Sequence, residues 1–181
     1  MYDDDPWFRR IPGAGALLFL FVVAALAYPL WHWRHLNHPL AGEMHVDLCA
    51  RLAKVPLLGG FRPENFPSSG ASGTCRWRDG DDKVQLDATL STTRGSGGMD
   101  LDRMFDTWRD EAKANYGPPS EMRESGEAHQ RVLSYHTYDG RERLIEDDGV
   151  LLYLRSPTLD DRELDRLVDP LRAALRAPPK P

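Results

Sequence analysis

Two cysteines, Cys49 and Cys75, are the side chains whose types constrain the chemistry of this chain most directly. They allow one pairing within the chain, and disulfide bonds persist mainly in oxidising compartments outside the cytosol. A dithiol redox site needs its cysteines close in sequence, as in C-x-x-C, and a zinc site needs four ligands. Two distant cysteines among scattered histidines meet neither requirement. We therefore predict a structural disulfide between Cys49 and Cys75, inside an exported domain.

Three histidines, His32, His35 and His38, recur at every third residue of the stretch HWRHLNH. Three imidazoles on one side of a helix would suit a transition metal. No carboxylate or thiolate supports that spacing, however, and tryptophans adjoin the histidines, so a segment at a membrane interface is the favoured interpretation. We expect no bound metal and no cofactor.

Catalytic motifs that can be recognised by their spacing are missing from the sequence. There is no G-x-S-x-G nucleophile motif. The acidic stretch DGDD at 79–82 lacks the ligand pattern of a calcium-binding loop and is typical of a tight turn. We expect a non-enzymatic protein without catalytic residues. An envelope hydrolase, with a site assembled from scattered residues, is the alternative from a different functional class.

The overall charge argues against one class of partner. The chain carries 23 Lys and Arg against 28 Asp and Glu, which gives a net charge of −5 at pH 7. Nucleic-acid binding needs a cationic face, and the sequence contains no run of Lys or Arg. We therefore expect no nucleic-acid partner.

An apolar segment near the N-terminus predicts a transmembrane helix over residues 11–33. It has no charged residue from position 11 to position 31. A helix over this uncharged stretch is long enough to cross the ~30 Å hydrocarbon core of a bilayer. Trp7 precedes the segment, and Trp31 and Trp33 end it, as interfacial aromatic anchors do. A cleaved signal peptide is the alternative, with ALA at 25–27 as its cleavage site. We favour an uncleaved anchor because the apolar run continues beyond that site.

Positive charges around this segment predict its orientation. Arg9 and Arg10 precede it and only Arg34 follows closely, which favours a cytoplasmic N-terminus. The predicted location is therefore the bacterial inner membrane, crossed once, with the C-terminal domain in the periplasm. The expected division is a cytoplasmic tail (1–10), the transmembrane helix (11–33), a juxtamembrane linker (34–43), a periplasmic α+β domain (44–176) and a disordered tail (177–181).

Hydrophobic periodicity beyond the linker predicts an α+β domain with an antiparallel sheet of about five strands packed against three helices. Residues 83–93 alternate apolar and polar side chains, and DG at 148–149 is flanked by two apolar strands, a strong hairpin signal. Helical spacing places Phe105 and Trp108 on one face, where a core position is favoured over a groove. The predicted elements are a helix at 44–55, a loop at 61–73, strands at 74–78, 83–93 and 130–138, a helix capped by Asp100, the hairpin around 148–149, and a last helix capped by Thr158.

The order of these elements resembles a known family. A hairpin, then the helix LDRMFDTWRDEAKANY, then the closing stretch GVLLYLRSPTLDDRELDRLVDPLRAAL is similar to the PsbP-like fold, which includes DcrB-like bacterial envelope proteins. The stretch LCARL…LLGG…CRW also resembles exported lipoproteins with a C…C-x-W signature. The lipoprotein members carry a lipid-attached cysteine near the N-terminus, which this apolar segment lacks. The resemblance implies a binding or accessory role and supplies no catalytic residues.

These observations together predict a membrane-anchored periplasmic binding or accessory subunit of a bacterial envelope protein complex. Its expected partners are the membrane, crossed once, and one or more envelope proteins. An immunity or inhibitor protein against an exported toxin is an alternative, because a small acidic domain suits the capture of a basic partner.

Overall fold

The computed structural model describes residues 23, 38–66, 71–93, 100–115, 122–127 and 129–178. Contacts between Cα atoms divide the chain into two units, Met1–Leu36 and Asn37–Pro181. In the first unit only Val23 is described, as a helical residue. Every element below belongs to the second unit.

The second unit contains seven strands and three α-helices among its described residues. The helices are α1 (Leu48–Leu52), α2 (Leu101–Asn115) and α3 (Asp161–Arg176), with a short 3-10 helix at Pro56–Leu58. The strands are β1 (Arg62–Glu64), β2 (Gly73–Arg78), β3 (Val84–Thr92), β4 (Arg123–Glu127), β5 (Gln130–Thr137), β6 (Gly140–Asp147) and β7 (Val150–Ser156).

All seven strands form one antiparallel sheet in the order β1-β2-β3-β7-β6-β5-β4. The predicted α+β class and the antiparallel sheet are confirmed, whereas the predicted number of about five strands is wrong. The two additional strands are the edges of the sheet, β1 and β4. Every residue of both is exposed, so neither carries the apolar alternation by which a strand is recognised in a sequence.

Helices pack on both faces of the sheet. Strand β7 shows the division: Val150, Leu152 and Leu154 lie in the core under α1 and α3, whereas Leu151 and Tyr153 lie in the core under α2. Adjacent residues of a strand point to opposite faces, so the nearly continuous apolar run of β7 is explained by burial on both sides.

A disulfide bond joins α1 to the sheet. Cys49 of α1 and Cys75 of β2 are bonded, with their Cα atoms 5.0 Å apart. Cys75 and Trp77 alternate along β2 and are 0% and 1% exposed. The pairing predicted from the sequence is therefore confirmed, and Cys75 points into the core.

Helix boundaries depart from the sequence prediction at two places. Helix α1 spans Leu48–Leu52, shorter than the predicted 44–55. The N-cap of α3 is Asp160, not Thr158: the Asp160 carboxylate accepts from the Glu163 backbone N–H, and the Glu163 carboxylate accepts from the Asp160 backbone N–H, both at 2.8 Å. This is a capping box. The Thr158 hydroxyl donates instead to the side chain of Gln85, 2.5 Å away.

The predicted transmembrane helix (11–33) lies outside the described residues apart from Val23, and so do Trp7, Trp31 and Trp33. Within the part of the chain that is described, no helix combines the length and apolar character needed to cross a bilayer. Residues 38–42, predicted as part of the linker, form turns, and Leu40 among them is 1% exposed.

Candidate functional site: an aromatic and acidic cavity

An open cavity of about 380 Å³ lies beside the C-terminal half of α2, against β5, β6 and β7. We call it the α2 cavity. Among the described residues, four aromatic side chains, three carboxylates and one guanidinium line it. These aromatic and charged lining residues are Trp108, Glu111, Tyr135, Tyr138, Asp139, Glu142, Tyr153 and Arg155.

The sheet register brings the inner residues of the α2 cavity together. Glu142 of β6 lies opposite Tyr135 of β5 and opposite Arg155 of β7. Directly paired residues of neighbouring strands point to the same face, so these three side chains stand side by side. Tyr153 lies two residues before Arg155 and therefore shares that face.

The aromatic part of the cavity joins the helix to the sheet. The rings of Trp108 on α2 and Tyr153 on β7 meet edge to face, with centroids 5.1 Å apart and planes at 87°. Tyr138, in the turn between β5 and β6, is 97% exposed. Gly140 lets that turn close tightly, because it has φ +142° and a Cβ there would lie 2.1 Å from the carbonyl oxygen of Ser156.

The acidic part of the cavity contains a buried carboxylate. Glu142 is 6% exposed, and its Oε1 accepts a hydrogen bond from the Thr137 hydroxyl at 3.0 Å. Glu142 forms no ion pair with any residue of the described ranges. Arg155, the guanidinium of the cavity, is paired with Asp139 at 3.5 Å. The described lining of the cavity therefore carries more negative than positive charge, with the carboxylate of Glu142 at its buried side.

A second open cavity, of about 590 Å³, lies between residues 40–54 and the C-terminal end of α3. Apolar side chains such as Val46 and Ala174 form part of its lining, and its charged residues have both signs. Neither a dominant charge nor a group of aromatic rings marks this cavity, so nothing in it indicates one class of ligand.

A cluster of ionisable groups fastens the N-terminal half of α2 to the sheet. Arg131 of β5 donates from Nε to Glu146 of β6 at 2.6 Å and from a terminal nitrogen to Asp106 of α2 at 2.8 Å. His129 Nδ1 lies 3.1 Å from Asp102 Oδ1, and carboxylate oxygens of Asp102 and Glu146 lie within 4.8 Å of each other. None of these residues lines the α2 cavity or the second cavity.

Asp102, His129 and Glu146 have potential ligand atoms within 4.8 Å of one another, close enough to hold a metal ion. Arg131 already supplies a positive charge to the same carboxylates, because its guanidinium contacts Glu146 and lies 3.8 Å from Asp102. We therefore interpret the cluster as an ion-pair network that positions α2.

Glu146 makes the stability of the domain depend on pH. Burial, followed by the contact with Asp102, raises the pKa of Glu146 from 4.5 to about 7. Folding therefore favours the protonated carboxyl, and the stability this contributes is present below about pH 4.5 and lost as the pH rises through about 7. We expect Glu146→Gln to remove that loss, measured as the change in the free energy of unfolding from about pH 5 to about pH 8.

His38 acts in the opposite sense and is the necessary control for this measurement. Burial lowers its pKa from 6.5 to about 4, although Asp147, with its carboxylate 3.6 Å from Nε2, opposes the shift. The stability that His38 contributes to the folded domain is present above about pH 6.5 and is lost as the pH falls from there through about 4. The pH dependence of Glu146→Gln must therefore be compared in the wild-type and His38→Asn backgrounds. An identical pH profile with and without the Glu146 substitution would contradict the assignment.

The structure places the residues singled out from the sequence in different settings. Cys49 and Cys75 form the disulfide, His38 is buried beside Asp147, and His32 and His35 lie outside the described residues. Phe105 is a core residue, as predicted, with the Arg131 guanidinium 4.1 Å from its ring centroid. Trp108 is partly buried: it packs against the same core cluster and also lines the α2 cavity, so the core prediction holds for this residue only in part.

The sequence did not indicate Tyr135, Glu142 or Arg155 as residues of a binding site. They come from three strands, and their proximity depends on the pairing register. One feature could have drawn attention to Glu142: it is a carboxylate within a mostly buried strand. A buried carboxylate needs a hydrogen-bond donor or a cation beside it.

Comparison with known proteins adds little to this geometry. No protein-family model and no curated protein matches the chain. Among solved structures, the crystal structure of a GTP-binding regulator from Thermotoga maritima is similar over 75% of this chain and 95% of that one, with 7% sequence identity and a TM-score of 0.41.

Proposed function

We propose that this protein is a non-enzymatic, membrane-anchored accessory subunit of a bacterial envelope complex, which binds a protein partner through the α2 cavity. The observation that carries the proposal is the cavity itself. Aromatic rings and unbalanced negative charge meet there on an open surface, and aromatic side chains in a partly open pocket are typical of binding surfaces.

A binding role is favoured over hydrolysis because the cluster of ionisable groups around Glu146 lies apart from both described cavities. The cluster around Glu146 is engaged in fastening α2, and its carboxylates are held by Arg131. A hydrolytic site would need such groups to converge on a space that a substrate can enter. Neither described cavity is lined by them.

The proposed location follows from the sequence and the disulfide. A disulfide within a small domain is typical of exported proteins. The apolar segment 11–33 supplies a single membrane anchor, and the preceding arginines keep the N-terminus in the cytoplasm. The resemblance to PsbP-like and DcrB-like proteins favours an accessory role in the same compartment.

An immunity or inhibitor protein is the second candidate. It is favoured by the net charge of −5 and by the acidic cavity, because a basic toxin would be attracted to both. The partner separates the candidates: an inhibitor forms a one-to-one complex with a single toxin, whereas an accessory subunit belongs to a larger assembly.

Affinity purification of the tagged full-length chain from native membranes, in mild detergent and followed by mass spectrometry, tests the proposal. We expect a reproducible set of envelope proteins to co-purify and to be released by salt, because charge contributes to the contact. A single stoichiometric toxin-like protein would support the inhibitor instead. If no protein co-purifies, a partner-binding role is contradicted.

A further inference from the structure

We infer that the α2 cavity receives the cationic head of a lysine or arginine side chain presented by the partner protein, with Glu142 as its counter-ion. This inference rests on the proposed function, because it names the chemistry by which the partner is recognised. It is carried by the burial of Glu142, by the absence of an ion pair between Glu142 and any described residue, and by the aromatic rings around it.

Glu142 is a buried acceptor with unused capacity. A carboxylate has two oxygens that accept several hydrogen bonds, yet the described residues supply Glu142 with a single side-chain donor, the hydroxyl of Thr137. Removing a carboxylate from water without a cation is costly. A cation that enters the cavity would offset this cost, so binding and charge compensation would occur together.

Arg155 does not fill this role in the structure. It is the cross-strand neighbour of Glu142, but its guanidinium pairs with Asp139 at the exposed side of the cavity. The side chain of Arg155 is 40% exposed. Among the described residues, the guanidinium that lines the cavity therefore lies near the solvent, and none forms an ion pair with the inner carboxylate.

The walls of the cavity suit an organic cation better than a metal ion. Trp108, Tyr135 and Tyr153 present aromatic surface near Glu142, and aromatic faces attract ammonium and guanidinium groups. The alkyl stem of lysine or arginine would pack against the same rings. A divalent metal would need several ligand oxygens or nitrogens in place of the rings.

Tyr138 indicates that the cation belongs to a protein. Its side chain is 97% exposed at the rim of the cavity, where a small molecule in the cavity would leave most of it in water. A protein that inserts a basic side chain would cover the tyrosine as well. Tyrosine is one of the residue types enriched among those that dominate binding at protein interfaces, where the partner covers them.

Ligand-observed NMR on the full-length protein in a non-ionic detergent tests the inference without the partner. The probes are the peptides acetyl-Gly-Lys-Gly-amide and acetyl-Gly-Arg-Gly-amide, with the uncharged norleucine peptide for comparison. We expect at least one basic peptide to bind and the norleucine peptide to bind about tenfold more weakly or not at all. Equal binding of the norleucine peptide would overturn the inference.

Two variants separate the cavity from the general negative charge of the protein. Glu142→Gln is expected to weaken the binding of the basic peptide by about tenfold, because it removes the counter-ion and keeps the shape. Glu127→Gln removes the same charge from the exposed edge strand β4 and is expected to leave binding unchanged. Equal losses in the two variants, or no loss in Glu142→Gln, would contradict the site.

Choline is the probe for the competing source of an organic cation, a lipid headgroup. Stronger binding of choline than of both basic peptides would overturn the assignment to a protein side chain. The test also distinguishes the two proposals. Basic peptides that bind through Glu142, without any protein co-purifying from membranes, would leave the cation site in place and contradict the accessory role.

Discussion

Reduction of the disulfide, or its removal in the double variant Cys49→Ala/Cys75→Ala, is expected to lower the free energy of unfolding by about 3.5 kcal/mol. The two cysteines are 26 residues apart, and the bond limits the conformations of that loop in the unfolded chain. Helix α1 adds to this dependence. Its five residues are too few for an independently stable helix, so its position relies on packing and on the bond to β2.

Guanidinium unfolding with and without a thiol reductant measures this effect. The free energy of unfolding of the wild-type protein should fall when the reductant is present. The double alanine variant should have the same free energy of unfolding as the reduced wild-type protein, and the reductant should not change it. A wild-type protein whose unfolding midpoint does not change on reduction would show that the disulfide contributes nothing to the domain.

The second large effect is expected from Arg131→Met, at about 3 kcal/mol of lost stability at about pH 9, where Glu146, whose pKa is about 7, is ionised. Arg131 is the guanidinium that compensates Glu146, whose side chain is only 3% exposed. Methionine keeps much of the length and the contact with Phe105, but it leaves the buried carboxylate without its cation. Because Arg131 also contacts Asp106, the substitution detaches α2 from the sheet at the same point.

Arg109→Met is the matched control for this variant. Arg109 also contacts Asp106, and it pairs with Asp110 and Glu124, but all three carboxylates are more than a third exposed. Exposed ion pairs contribute little, so a loss of less than about 1 kcal/mol is expected. Both variants are compared by urea unfolding at about pH 9, well above the pKa of about 7 of Glu146, so that its carboxylate is ionised. A similar loss in both would show that the burial of Glu146 does not set the effect.

The parts of the fold with strong local signals were predictable from the sequence. The hairpin between β6 and β7 is an example, because DG supplies the two turn residues and both have positive φ, 44° for Asp148 and 97° for Gly149. Asp100 also caps α2 as predicted, accepting from the backbone N–H groups of Asp102 and Arg103. In these cases the local chemistry and the final fold agree.

Strands without a buried side chain were not predictable. Strands β1 and β4 contain charged residues, proline or glycine and bury no side chain, so they form by hydrogen bonding to a neighbouring strand, with exposed ion pairs such as Arg78–Glu64 beside it. Thr158 illustrates a different difficulty. Two good capping residues lie close together, and a tertiary contact with Gln85 occupies one of them, which leaves the cap to Asp160.

The candidate site was the least predictable part of the molecule. Whether Glu142 faces Tyr135 and Arg155 depends on the register of three strands, and a slip of one residue would turn each side chain to the other face. The disulfide, in contrast, followed from two residues and a compartment rule. A disulfide can be predicted from the number and spacing of the cysteines in a sequence. A site whose side chains meet across paired strands cannot, because the pairing register is not visible in the sequence.

The central claim is that the α2 cavity binds a protein partner through Glu142. The most direct measurement is quantitative capture of partners from the same native membranes by tagged wild-type protein, Glu142→Gln and Glu127→Gln, compared by mass spectrometry. If the partner binds through Glu142, Glu142→Gln should capture about tenfold less of the partner or lose it entirely, while Glu127→Gln should capture as much as the wild-type protein. Equal capture by the wild-type protein and Glu142→Gln would contradict it.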